Sequence, residues 1–186
     1  MTPATPVRAL FINSGILGLR TFARFVDRAF DGTRNGLHVT QLVLSEGLTL
    51  DERVIRRLLC LRLWPDGLAG VRNLDLLRYR AEWHSGLCAR RRISRLEAGG
   101  ARVDVLHFHR QATAYASLDR MRRTPSIVSI DCTQRCVLDA ASTAFEQRTY
   151  GLNVRRDGAI LRAARLIVAT SQWAADSVRR EYPDCT

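Results

Sequence analysis

Five short apolar runs punctuate the chain: VRALFIN (7–13), LHVTQLVL (37–44), VDVLHFH (103–109), PSIVSID (125–131) and LIVA (166–169). Their length, their branched residues and their bounding glycine, proline or polar residues read as strands. The intervening stretches keep a different period. After Gly18, the residues Leu19, Phe22, Ala23, Val26 and Phe30 recur every three or four positions and share one helical face, with Gly32 closing the helix. Parallel strands can be joined only by a crossover of a dozen or more residues, usually a helix. Strands buried on both faces are also continuously apolar. The pattern therefore predicts an α/β domain with a parallel sheet covered by helices on both faces.

The rest of the chain fits that plan with one unusual insertion. Residues 49–98 keep a helical period and are loaded with arginine. Leu50, Val54, Leu58 and Leu61 fall on one face among Arg53, Arg56, Arg57 and Arg62, and Pro65 and Gly67 break the helix. A second helix follows, with an interruption at Gly86, and ends at Gly99-Gly100. A helix of small residues runs from Gln111 to Met121. A loop or broken helix spans 132–151, and a further helix covers Asn153 to Ala164. Ser171 caps a last helix, Gln172 to Tyr182, that runs toward Pro183.

Composition narrows the function classes. At 186 residues, 46% hydrophobic and 25% charged, the chain suits one ordinary globular domain. No run approaches the roughly 20 apolar residues needed to cross a bilayer, and the N-terminus lacks the pattern of a secretory signal. Five scattered cysteines lack a pairing framework, which suits a reducing compartment; the cytoplasm is the expected location. Cys132 and Cys136 have no second pair at ligand spacing, so no metal is expected. The net charge of +11 comes from 29 arginines and not one lysine. Such a field concentrates phosphate-bearing ligands, nucleic acid or anionic lipid.

In an open parallel sheet, ligands bind outside the carboxyl ends of the strands. After the first run, Gly15 and Gly18 occupy a strand-to-helix turn, where glycine either serves a tight turn or lets backbone amides approach an anion. Their spacing is not the three-glycine dinucleotide fingerprint. His107 and His109 point to one face; His109, at the strand end, reaches the cleft, while His107 reads as a satisfied core histidine. After PSIVSI, the cluster Asp131, Cys132, Thr133, Gln134 and Arg135 is dense in polar groups. Asp131 is either a hydrogen-bond acceptor for a substrate hydroxyl or a helix cap.

Taken in order, DVLHFHRQATA (104–114), RTPSIVSIDCTQ (123–134) and RRDGAILRAARLIVATSQWAADSVRREY (155–182) resemble the N-terminal half of bacterial glycosyltransferases of family four, the retaining GT-B enzymes. The resemblance is good over residues 101–182 and poor over 45–100. It implies a Rossmann-like domain, one half of a GT-B architecture, that spans 1–186 and holds the acceptor. A C-terminal nucleotide-sugar-binding domain would follow it, and the chain reads as a front half lacking that partner. The implied reaction moves a sugar from a nucleotide-sugar co-substrate to a glycan or lipid acceptor with retention, without metal or other cofactor, and this half alone is expected to be inactive.

By position, the resemblance places Gly15 and Gly18 beside the reaction centre. It also sets His109 and Asp131 at strand ends that face the acceptor, with Asp131 as the catalytic candidate; Thr133 and Gln134, from the polar cluster after PSIVSI, are read into the same acceptor or donor cleft. Some relatives carry histidine where Asp131 stands.

Other readings stand beside this one. The arginine-flanked leucine helix either rests on anionic lipid at the inner face of the membrane or turns its leucines to the core. A non-catalytic Rossmann-like remnant would share every feature above. A nucleic-acid-binding module is suggested by charge alone, without a recognition-helix signature or interleaved aromatics.

Overall fold

The computed structural model describes residues 5–16, 18–30, 33–62, 76–139 and 144–185. The first strand, β1 (Val7–Asn13), leads through the glycine turn into α1 (Leu19–Ala29). A two-residue strand, β2 (Thr33–Arg34), pairs antiparallel with β3 (Leu37–Val43) and has no counterpart among the apolar runs. Then come α2 (Leu50–Leu59), α3 (Leu77–Ala98), β4 (Val105–His109), α4 (Gln111–Ala114), α5 (Leu118–Met121), β5 (Ser126–Ile130), α6 (Gln134–Asp139), α7 (Ala144–Ala163), β6 (Leu166–Ala169) and α8 (Gln172–Glu181).

The sheet order is β2-β3-β1-β4-β5-β6, and every pairing except β2 with β3 is parallel. Five parallel strands flanked by helices make the sheet expected from the apolar runs, and the fold is Rossmann-like, as the resemblance implied. From β1 the chain first winds to β3 on one side, then crosses to β4 on the other, so the winding reverses between β1 and β4. The crevice at such a reversal is where open sheets of this kind bind ligands.

The core follows from the apolar runs. Leu10, Ile12, Leu106, Phe108, Val128 and Ile130, on the three central strands, are all at most 1% exposed. Each such side chain contributes roughly 1.5–3 kcal/mol on burial. Cys88, Ala89 and Ile93 of α3 and Ile160 and Leu161 of α7 cover them. At the edge, β6 is not the buried strand its apolar run suggests: Leu166 and Val168 are exposed because nothing described covers that face.

Several helices differ from their sequence reading. The expected break at Gly86 is absent, and α3 runs through it without interruption. Glycine is needed there for packing: a Cβ would lie 2.7 Å from Ala116 N and 2.7 Å from Tyr115 Cβ. The small-residue helix divides into α4 and α5, and α7 begins well before Asn153 and passes straight through Gly151. Gly32, Pro65 and Gly67 lie outside the described residues. Ser171 caps α8 as expected, its Oγ accepting from Ala174 N at 3.1 Å.

The largest departure concerns α2. Its leucine face points outward: Leu50 is 79% exposed and Leu58 66%, with Val54 and Leu61 also exposed, while Glu52 is fully buried. The core-facing reading of this face is therefore corrected. The cause is an ionic anchor. Glu52 receives the Arg92 guanidinium at 2.8 Å and Arg95 at 3.2 Å, and Arg92 also donates to the Val43 carbonyl at 2.9 Å. Burial alone would raise the Glu52 carboxyl, but Arg92 and the Thr49 amide outweigh it and hold it below its ordinary value. With Glu52 held inward, Leu50 and Val54, two positions to either side, and Leu58, six positions on, fall on the opposite side of the helix and face away.

Candidate functional site

The site grows from the end of β1. Asn13 is buried, and its side chain stitches the turn: Oδ1 accepts from Gly15 N at 2.8 Å, and Nδ2 donates to Leu19 O at 3.0 Å. Gly15 takes φ +69°, and a Cβ there would sit 2.1 Å from Ser45 Oγ and 2.5 Å from Val43 Cγ1. Only glycine fits that conformation and that space. Gly18 is different, with an ordinary helical backbone and nothing within 4 Å of where a Cβ would stand, so neither conformation nor packing demands glycine there.

Across the reversal point, Asn13 lies in register with His109. His109 is buried, its ring 4.5 Å from that of Phe22 and 5.4 Å from that of Phe11, and its Nδ1 has no partner among the described residues. Burial pushes its imidazole below the usual value, with Arg110 adding to the effect and Asp131 opposing it. The ring is thus neutral near pH 7 and feels the Asp131 charge. Asp131 is exposed at the end of β5, and its Oδ1 accepts from Cys132 N at 3.0 Å.

Between them Arg110 adopts φ +90°, a conformation rarely taken by a residue with a side chain. Strain of this kind gathers at functional edges. His107 meets the expectation of a satisfied histidine: its Nε2 lies 2.7 Å from Ser129 Oγ, and burial pushes it down to about 4.

Thr133 and Gln134 point the other way. Both are buried. Thr133 donates to Glu181, and Gln134 donates through Nε2 to Glu82 at 2.9 Å and through its backbone N to Asp157 at 2.9 Å. Glu82 also receives Asn153 Nδ2 at 2.6 Å and pairs with Arg78 at 3.3 Å. This polar knot ties α3, α6 and α7 beneath the strand ends. It leaves Thr133 and Gln134 engaged in the scaffold, while Gly15, His109 and Asp131 are brought to the carboxyl edge.

Beside that edge an open cleft of about 680 Å³ begins at Ser14 and Gly15, passes Arg20 and Ser45, and is walled by Arg56 and Cys60 of the α2 end and by His84, Ser85 and Cys88 of α3. Sequence reasoning missed Ser14, Arg20, Arg56 and His84. Arg20 stands next to the glycine turn in the chain and was within reach; Arg56 and His84 belong to the insertion, and only packing joins them to β1. Burial lowers the His84 imidazole, against a hydrogen bond to the Glu52 backbone, and Arg56 lowers it further. Cys88 Sγ lies 3.3 Å from His84 Nε2, but burial pushes the thiol up to about 11, so it is neither a thiolate nor a ready nucleophile. Burial likewise raises Cys132. Among the described residues no three histidine, cysteine or acidic side chains gather as a metal site.

No protein-family model matches the chain, and no curated protein is significantly similar to it.

Proposed function

We propose that this chain is the acceptor-side half of a retaining glycosyltransferase that moves a sugar from a nucleotide-sugar donor to a glycan or lipid acceptor. One observation carries the reading. The three segments that resemble family four fall on β4, β5 and the α7-β6-α8 unit, and His109 and Asp131 from the first two stand at the carboxyl ends of neighbouring strands, close enough for the Asp131 charge to act on the His109 ring.

In this reading the cleft beside Gly15 seats the body of the acceptor, and its reacting hydroxyl extends beyond the cleft lining to the ends of β4 and β5. Neutral His109 hydrogen-bonds its hydroxyl, and Asp131 is the acceptor for the proton lost as that hydroxyl attacks. A second, nucleotide-sugar-binding domain faces this edge, holds the diphosphate and stabilises the leaving-group charge. The reaction needs no metal or further cofactor.

The test uses protein purified from its native source with a panel of nucleotide-sugars and a total glycan and lipid extract. Sugar transfer with retained anomeric configuration, reduced roughly 100-fold by Asp131→Asn, supports the assignment. Transfer with inversion, or absence of transfer with every donor, would overturn it.

The exposed leucine face of α2 favours a second element of the proposal: the chain works in the cytoplasm, at the inner face of an anionic membrane. Leu50, Val54 and Leu58 offer an apolar strip, and Arg53 and Arg57 beside them are exposed. This is the arrangement that rests on a charged lipid surface. Among the described residues no helix is long and apolar enough to cross a membrane. Co-sedimentation no stronger with anionic than with neutral vesicles would remove this element and leave the glycosyltransferase reading standing.

A further inference from the structure

The carboxyl-edge cleft has a chemistry of its own. Among the described residues two guanidinium groups, Arg20 and Arg56, line it, and no carboxylate does. His84 adds a neutral ring, so the local field is set by the arginines. The cleft also adjoins the amino end of α1, an eleven-residue helix with no acidic residue in its first turn and no side-chain bond at its cap. Such an end favours an anion.

A further observation points to a ligand. Ser14 lines the cleft and is only 8% exposed, and its Oγ has no partner among the described residues. A buried hydroxyl left without a hydrogen bond is costly and calls for a partner. Arg20 is already positioned, its Nε donating to Gly15 O at 3.0 Å. Ile16, Leu44 and Leu48 add apolar wall.

We infer that this cleft binds a phosphate-bearing ligand, held between Arg20 and Arg56 with Ser14 as a further donor, whose remainder lies along the apolar wall. The inference deepens the proposed function, because it takes the cleft as the acceptor site of that reading and names the acceptor class. Phosphate is favoured over carboxylate because its three oxygens can occupy two guanidinium forks and a hydroxyl together. The volume of about 680 Å³ suits a small organic molecule rather than a bare ion. A soluble phosphomonoester and the headgroup of a phospholipid share this chemistry.

The experiment is calorimetric titration of the 186-residue chain with glycerol 1-phosphate, beside flotation with phosphatidylglycerol and phosphatidylcholine vesicles. Arg56→Gln is the main variant, since Arg56 is an exposed helix residue whose loss leaves the core intact. Arg122→Gln is the charge-matched control: Arg122 is exposed and precedes β5, at the opposite edge of the sheet. Thermal melts confirm that both variants fold.

Saturable glycerol 1-phosphate binding that weakens about tenfold in Arg56→Gln and is unchanged in Arg122→Gln supports a soluble ligand. The same dependence seen only with phosphatidylglycerol vesicles supports the lipid source. No saturable binding of the monoester, with equal vesicle binding by both variants, overturns the inference and leaves only diffuse charge. Because the readout is binding, phosphate recognition without any sugar transfer would sink the glycosyltransferase reading and keep this one; transfer to an uncharged acceptor, untouched by Arg56→Gln, would do the reverse.

Discussion

Helices α2 and α7 both lie against α3, and they resolve their amphipathic patterns in opposite ways. In α7, Ile160 and Leu161 go inside, joined by the buried polar residues Asn153 and Asp157. In α2 the only buried residue is the acid Glu52, and the leucines face outward. The two helices differ in what waits on the other side. The face of α3 that meets α7 offers Glu82 and aromatic rings, which take both amides and hydrocarbon. The face that meets α2 offers Arg92 and Arg95, and it is the carboxylate that pairs with them, not a leucine, that takes the buried position.

The sharpest way to break the contrast is to remove the anchor. Glu52→Ala strips Arg92, whose side chain is only 11% exposed, of its carboxylate partner, and is expected to destabilise the fold by about 3–5 kcal/mol in urea denaturation. A loss below about 1 kcal/mol, as found for exposed ion pairs, would mean that α2 is not held this way. Gly86→Ala attacks the other side of α3 by forcing a methyl group into the Tyr115-Ala116 backbone. It should cost about 1–3 kcal/mol, and a neutral outcome would show that α3 and α4 pack less closely than described.

The polar side of the comparison has a pH signature. Burial raises the Asp157 carboxyl to about 7 from 3.8, with the Gln134 amide opposing and the Glu82 charge reinforcing the rise. Its contribution to stability is complete below pH 3.8 and is lost as pH climbs through 7. His107 runs the opposite way: its imidazole is lowered from 6.5 to about 4, so its contribution is complete above pH 6.5 and is lost as pH falls through 4. The two slopes offset each other in the native chain. Asp157→Asn should expose the histidine limb, with stability falling by about 3 kcal/mol as the solution is acidified from pH 6.5 to below 4. Urea denaturation across that range reads the slope, and an unchanged pH profile in the variant would remove Asp157 as a titrating group.

The smallest expected effect lies on the outer face of α2. Leu58→Ser should change stability by no more than about 0.5 kcal/mol, against about 2–5 kcal/mol for Leu161→Ala in α7. If Leu58→Ser proves as costly as Leu161→Ala, the leucine face is covered in solution.

The parallel sheet could be read from the chain because a strand buried on both faces must be a continuous apolar run, whatever surrounds it. The same holds for the Ser171 cap and for Gly15, whose requirements are set within a few residues. The placement of His109 and Asp131 at the carboxyl edge was legible because strand ends in such a sheet project to one edge. Thr133 and Gln134 share that edge in sequence but turn into the scaffold, Gln134 reaching Glu82, a residue 52 positions earlier with no local signal. Arg56 and His84 were hidden for the same reason, since only the folding of the insertion over the β1 turn makes them walls of a cleft.

Local pattern by itself determined which residues share a strand or a helix face, because backbone geometry repeats at about 2 and 3.6 residues independently of context. Which way a face points was decided only in three dimensions. There the pairing of buried Glu52 with Arg92 outweighed the gain from burying the leucines of α2, and it carried Arg56 to the lip of the candidate site.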